Sequence, residues 1–79
     1  MIEQIHITIY NMVYIKPNIT GQLTICLLDL SGKEVLLQTV DVTAEETITI
    51  RLGQIEPGIY IIRFDSGKNR AYRKLVVVR

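Results

Sequence analysis

Hydrophobic and polar residues alternate through most of this chain. In IEQIHITIY (2–10), Ile5, Ile7 and Ile9 share one face, while Gln4, His6, Thr8 and Tyr10 take the other. That period of two predicts a half-buried strand. NMVYIKPN (11–18) is a second extended run, followed by turn residues at Pro17, Asn18, Thr20 and Gly21. QLTICLLDL (22–30) is apolar on both faces, which places its strand centrally in a sheet. SGK (31–33) turns the chain, with Gly32 able to take a positive φ because it has no Cβ. EVLLQTVDV (34–42) predicts a fourth strand, rich in β-branched residues. After the polar TAEE connection, TITIRL (47–52) alternates with Ile48, Ile50 and Leu52 inward. Pro57-Gly58 then stops the chain before GIYIIRF (58–64), and the polar DSGKN (65–69) joins that strand to RAYRKLVVVR (70–79).

About seven short strands with regular turn signals, and no sustained helical period, predict an all-β fold. An immunoglobulin-like antiparallel β-sandwich is the expected architecture, as a single domain over residues 1–79.

Composition narrows the functions available. Hydrophobic residues make up 48% of the chain, enough for a core without disulfides, and the one cysteine, Cys26, has no internal partner. No stretch approaches the ~20 uncharged apolar residues of a membrane helix. The N-terminus carries Glu3 and His6 where a signal peptide needs an apolar run. The net charge of +1 conceals an asymmetry. Residues 1–62 sum to −4, whereas residues 63–79 sum to +5, with Asp65 their only acid. Such a basic end suits an acidic partner, anionic lipid or nucleic acid, or simply discourages edge-to-edge aggregation.

Catalytic chemistry is sparse. His6 has no second histidine and reads as a solvated surface group. Cys26 lies between Ile25 and Leu27, the setting of a small buried hydrophobe rather than an activated thiolate. Glu45 and Glu46 read as solvated loop carboxylates, and DLSGK leads into a strand, where no helix N-terminus can hold a phosphate. Asn18-Ile19-Thr20 fits a glycosylation triplet that arises often by chance. Tyr60, Phe64 and Tyr72 interleave with basic residues, yet aromatics at strand spacing are usually core, and no nucleic-acid motif accompanies them. No catalytic, cofactor or metal site and no nucleic-acid partner is expected.

Three segments in order carry a resemblance: LLDLSGKEVLLQTV (27–40), IEPGIYIIRF (55–64) and RKLVVV (73–78). Together they resemble the type A C-terminal sorting domain of type IX secretion cargo from Bacteroidetes. Its motifs correspond to Asp29, Gly32 and Lys33, to Gly58 and Tyr60, and to the closing Lys74, Leu75, Val76, Val77 and Val78. The resemblance implies a small immunoglobulin-like sandwich that catalyses nothing. It implies recognition in the periplasm by the outer-membrane translocon, and removal at the cell surface by a sortase-like cysteine protease. The cargo then stays on the surface, joined to lipopolysaccharide, or is released. It also implies an N-terminal cargo, so the chain is expected to be a domain excised from a larger protein.

On this reading Lys74–Val78 form the segment read by the translocon, with Gly58 serving the turn after Pro57 and Tyr60 anchoring the neighbouring strand. An unpaired terminal strand could also pair with a second copy of the chain. The alternatives are an immunoglobulin- or fibronectin-like adhesion module and an accessory domain packed on an enzyme. The latter would expose an apolar patch.

Overall fold

The computed structural model of the protein describes residues 12–78 and, as backbone, residues 2–7. Seven strands run through them: β1 (Ile2–Ile7), β2 (Met12–Pro17), β3 (Gly21–Leu28), β4 (Glu34–Val42), β5 (Ile48–Arg51), β6 (Gly58–Asp65) and β7 (Arg70–Val77). They form two antiparallel sheets, ordered β1-β2-β5 and β4-β3-β6-β7. The inward faces meet in one core, where Val13, Ile15 and Ile50 of the first sheet oppose Ile25, Leu27 and Phe64 of the second. This is the expected immunoglobulin-like sandwich. Its fourth strand stays beside β3 rather than joining the β1-β2-β5 sheet as in a constant-type domain.

The alternation of apolar residues accounts for most of the elements. β3 is an inner strand, as its apolar character on both faces implied. β5 is shorter than TITIRL, but Ile50 and Leu52 are buried and Ile48 packs against the core. Ile9, and the side chains of β1 including His6, lie outside the described residues.

β3 ends at Leu28, two residues short of its apolar run, because Asp29 belongs to the turn. One carboxylate oxygen of Asp29 accepts the Ser31 N–H at 2.9 Å, the Ser31 hydroxyl at 2.6 Å and the Lys33 N–H at 3.0 Å. The main chain closes around it, with Gly32 N–H donating to Asp29 O and Asp29 N–H to Lys33 O, each at 3.0 Å. Gly32 takes φ 89°, a value that a side chain would oppose. The β6–β7 turn repeats the device. Asp65 accepts the Gly67 N–H at 2.9 Å, Gly67 has φ 91°, and Arg70 binds the other carboxylate oxygen through Nε and Nη2 at 3.1 and 2.8 Å.

The registers fix which ends of the strands coincide. Ile2 lies opposite Pro17, Gly21 opposite Val42 and Asp65 opposite Arg70, so the start of β1 and the β6–β7 turn share one pole. At the other pole Val77 lies opposite Gly58, at the end of the sheet where the 29–33 turn joins β3 to β4. Residue 2 and residue 77 therefore stand at opposite ends of a body whose longest extent is 31 Å. At the first pole Glu45, with φ 70°, is pinned by its N–H to Pro17 O at 2.8 Å and by Lys16 Nζ at 3.4 Å.

The turn carboxylates make stability depend on pH. The Ser31 hydroxyl and the Lys33 N–H hold Asp29 below the usual carboxylate range, and the Gly67 N–H and Arg70 do the same for Asp65. A folded-state pKa below the unfolded one contributes stability that is complete above pH ~4 and is lost as pH falls through the lower folded value. Thermal melts from pH 6 to pH 2 should show the melting temperature falling below pH ~4. An Asp29→Asn, Asp65→Asn double variant should start lower at pH 6 and decline less.

Candidate functional site

A strand can be read by a partner only where it is not already covered. Among the described residues β7 is an edge strand, paired with β6 alone. In an antiparallel edge strand, alternate residues turn their N–H and C=O groups away from the sheet, which leaves a main-chain template for another strand. The five terminal residues singled out by sequence divide by parity on this edge. Leu75 and Val77 are buried in the core, whereas Lys74, Val76 and Val78 are exposed. Only those three side chains of the segment are presented.

Gly58 and Tyr60 do join the terminal strand. Val77 lies opposite Gly58 and Leu75 opposite Tyr60. Tyr60 is in the core, and its hydroxyl donates to Glu56 O at 2.6 Å, tying the 52–57 connection to β6. Gly58 opens β6 directly after Pro57, with φ 157° and Val77 opposite it across the ladder. Asp29, Gly32 and Lys33 stand apart from β7, in a turn whose hydrogen bonds account for the motif without any partner.

Cys26 is fully buried, but not in the core cluster. It lies opposite Leu37 and Arg63 on the outward side of the four-stranded sheet, beside Glu34. Burial, reinforced by the Glu34 carboxylate, pushes its thiol pKa up, the opposite of what a nucleophilic thiolate needs. Among the described residues no group of three metal-ligating side chains occurs.

The expectation that all three aromatics are core is wrong for Tyr72. Tyr60 and Phe64 are buried, but Tyr72 is 52% exposed because it pairs with outward-facing Arg63. Tyr72 belongs to a larger set that sequence reasoning missed. Leu37 (58%), Ile59 (43%), Val76 (45%) and Val78 (52%) are also exposed, and half-buried Leu28 and Ile61 lie among them. The registers put all of these except Val78, which follows the last residue of β7, on the outer face of the β4-β3-β6-β7 sheet. The available signal was the apolar character of β3 and β6 on both faces. For β3 it was read as centrality within a sheet, but among the described residues no second layer covers that face.

A family model described as a secretion system C-terminal sorting domain matches residues 4–78. Among curated proteins, none matches the chain.

The parity of the terminal strand generates a stability contrast. Leu75→Ala should cost about 2–5 kcal/mol in chemical denaturation, while Val76→Ala one residue on should stay within ~0.5 kcal/mol. Tyr60→Phe keeps the ring but leaves Glu56 O without its donor, and should cost about 1 kcal/mol.

Proposed function

The chain belongs to the type IX secretion C-terminal sorting domain family, and from that premise we propose that the exposed edge of β7 is the part of the domain that the secretion machinery reads. As a member, it is a secretion signal. It directs an N-terminal cargo across the outer membrane to the cell surface or the medium, and interacts with the type IX machinery in doing so.

The observation that carries the reading is the place of β7 at an open sheet edge, with Lys74, Val76 and Val78 turned outward. A partner strand added along this edge would bind through main-chain hydrogen bonds, while alternate side chains supply selectivity. Lys74, and Arg73 beside it, would steer an acidic partner, raising the encounter rate more than the affinity. Leu75, Val77, Gly58 and Tyr60 hold the segment in place and are not themselves contacted.

The cargo precedes residue 2 and so joins the pole opposite the end of β7. Recognition takes place in the periplasm, before the outer membrane is crossed. A sortase-like cysteine protease at the surface then cuts upstream of the sandwich, at the cargo-bearing pole, where it does not compete with a partner on the terminal segment.

A test must separate reading from folding. Deleting Lys74–Arg79 also removes Leu75 and Val77 from the core and would unfold the domain. A Lys74→Glu, Val76→Asp double variant alters exposed side chains only. Both forms would be fused behind a signal peptide and a reporter in a bacterium with a type IX system. We expect surface or secreted reporter from the parent fusion, and at least ~10-fold less from the variant, at an unchanged melting temperature. Equal export would remove the terminal segment from the recognition surface. Retention of the parent fusion as well would count against the whole reading.

A further inference from the structure

The outer face of the four-stranded sheet can be reconstructed row by row from the strand registers. One row runs Glu34, Leu28, Ile61, Lys74 from β4 to β7. The next runs Leu37, Cys26, Arg63, Tyr72, and the third Thr39, Thr24, Asp65, Arg70. Acidic Glu34 therefore stands on the β4 side and basic Lys74 on the β7 side of the same row. The middle of the face is apolar in the first row and continues to Ile59 and Val76 beyond it. A register shift between Leu27 and Leu28 is what turns Glu34 onto this face, where its carboxylate stands 3.9 Å from Arg63 Nη2.

We infer that this face packs against the same face of a second copy, about a two-fold axis that lies in the interface and runs parallel to the strands between β3 and β6. That operation exchanges the two sides of every row. Glu34 then faces Lys74 of the second copy, Leu28 faces Ile61, Leu37 faces Tyr72, and Thr24 faces the Asp65 carboxylate. Each contact occurs twice, as a self-complementary interface requires. The alternative axis, perpendicular to the strands, sets β7 on β7 and brings Arg70 over Lys74, so charge decides between them.

The area is adequate for a weak dimer. Four strands cover roughly 20 by 25 Å, about 500 Å² per copy, and a pair buries about 1,000 Å², the lower bound for a specific interface. Face-to-face packing at about −30° is an ordinary sandwich geometry. The contact differs from pairing of two terminal strands edge to edge, because it leaves the main-chain edge of β7 free, although it covers the outward side chains of Lys74 and Val76. It stands independently of the sorting role.

Sedimentation velocity of the 79-residue chain from ~10 µM to ~1 mM should show a monomer–dimer equilibrium with a dissociation constant of ~10–100 µM. Leu37→Lys, three strands away from the β7 edge, should leave only monomer at ~1 mM, with an unchanged thermal melt. Glu34→Lys and Lys74→Glu should each weaken the dimer about 10-fold, and their combination should restore it to within ~3-fold of the parent. A chain that stays monomeric at ~1 mM overturns the proposal. So does a dimer that survives Leu37→Lys, which would point to the strand edge, and so does a charge-swapped variant no tighter than the single ones.

Discussion

A two-layer sandwich gives each sheet one dry face, and side chains along a strand alternate between that face and the other. The rest of this molecule depends on that constraint. In β7 it commits Leu75 and Val77 to the core and turns Lys74, Val76 and Val78 outward. The segment is thus held by its two buried residues, Leu75 and Val77. In β6 it buries Tyr60, Ile62 and Phe64 and leaves Ile59, Ile61 and Arg63 on the far side. A partner strand added along β7, as proposed, would meet the three outward side chains of Lys74–Val78 and an open main-chain edge.

Much of the fold was legible because most strands have one apolar parity. β4 runs from Glu34 to Val42, over the residues whose pattern implied it, and β3 occupies the inner position its composition suggested. The terminal strand was harder. In RAYRKLVVVR both parities carry apolar residues: Ala71, Leu75 and Val77 on one, Tyr72, Val76 and Val78 on the other. Which set is buried is decided outside the segment, by the β6–β7 turn that sets Asp65 opposite Arg70. The same limit hid the outer apolar face, since a surplus of apolar positions has no address until the sheet order is known. Gly32 could be read as a turn residue from its type alone. The threefold acceptor role of Asp29 could not, because it needs the closed loop.

The basic character of the last quarter of the chain also changes meaning once folded. Arg70 is engaged by Asp65, and Arg63 stands near Glu34. Among the described residues, Arg73 and Lys74 are the exposed cations at the start of the terminal segment. Arg73 shares the inward parity of Leu75 yet is exposed, because β7 is the edge and the opposite sheet does not cover it there. An inward-parity charge on an edge strand deters indiscriminate pairing of like edges. A partner with complementary charge would meet no such barrier, so on the proposed reading one side chain would both protect the edge and favour its partner.

The opposite placement of residues 2 and 77 has a mechanical consequence. A pull applied between the two ends of the domain runs along the strands rather than across them. The ladders joining β7 to β6 and β1 to β2 are then loaded in shear, and their hydrogen bonds share the force instead of opening one after another as in a peeled hairpin. A sandwich drawn by its last strand with a load attached at its first would resist unfolding far better than its modest size suggests.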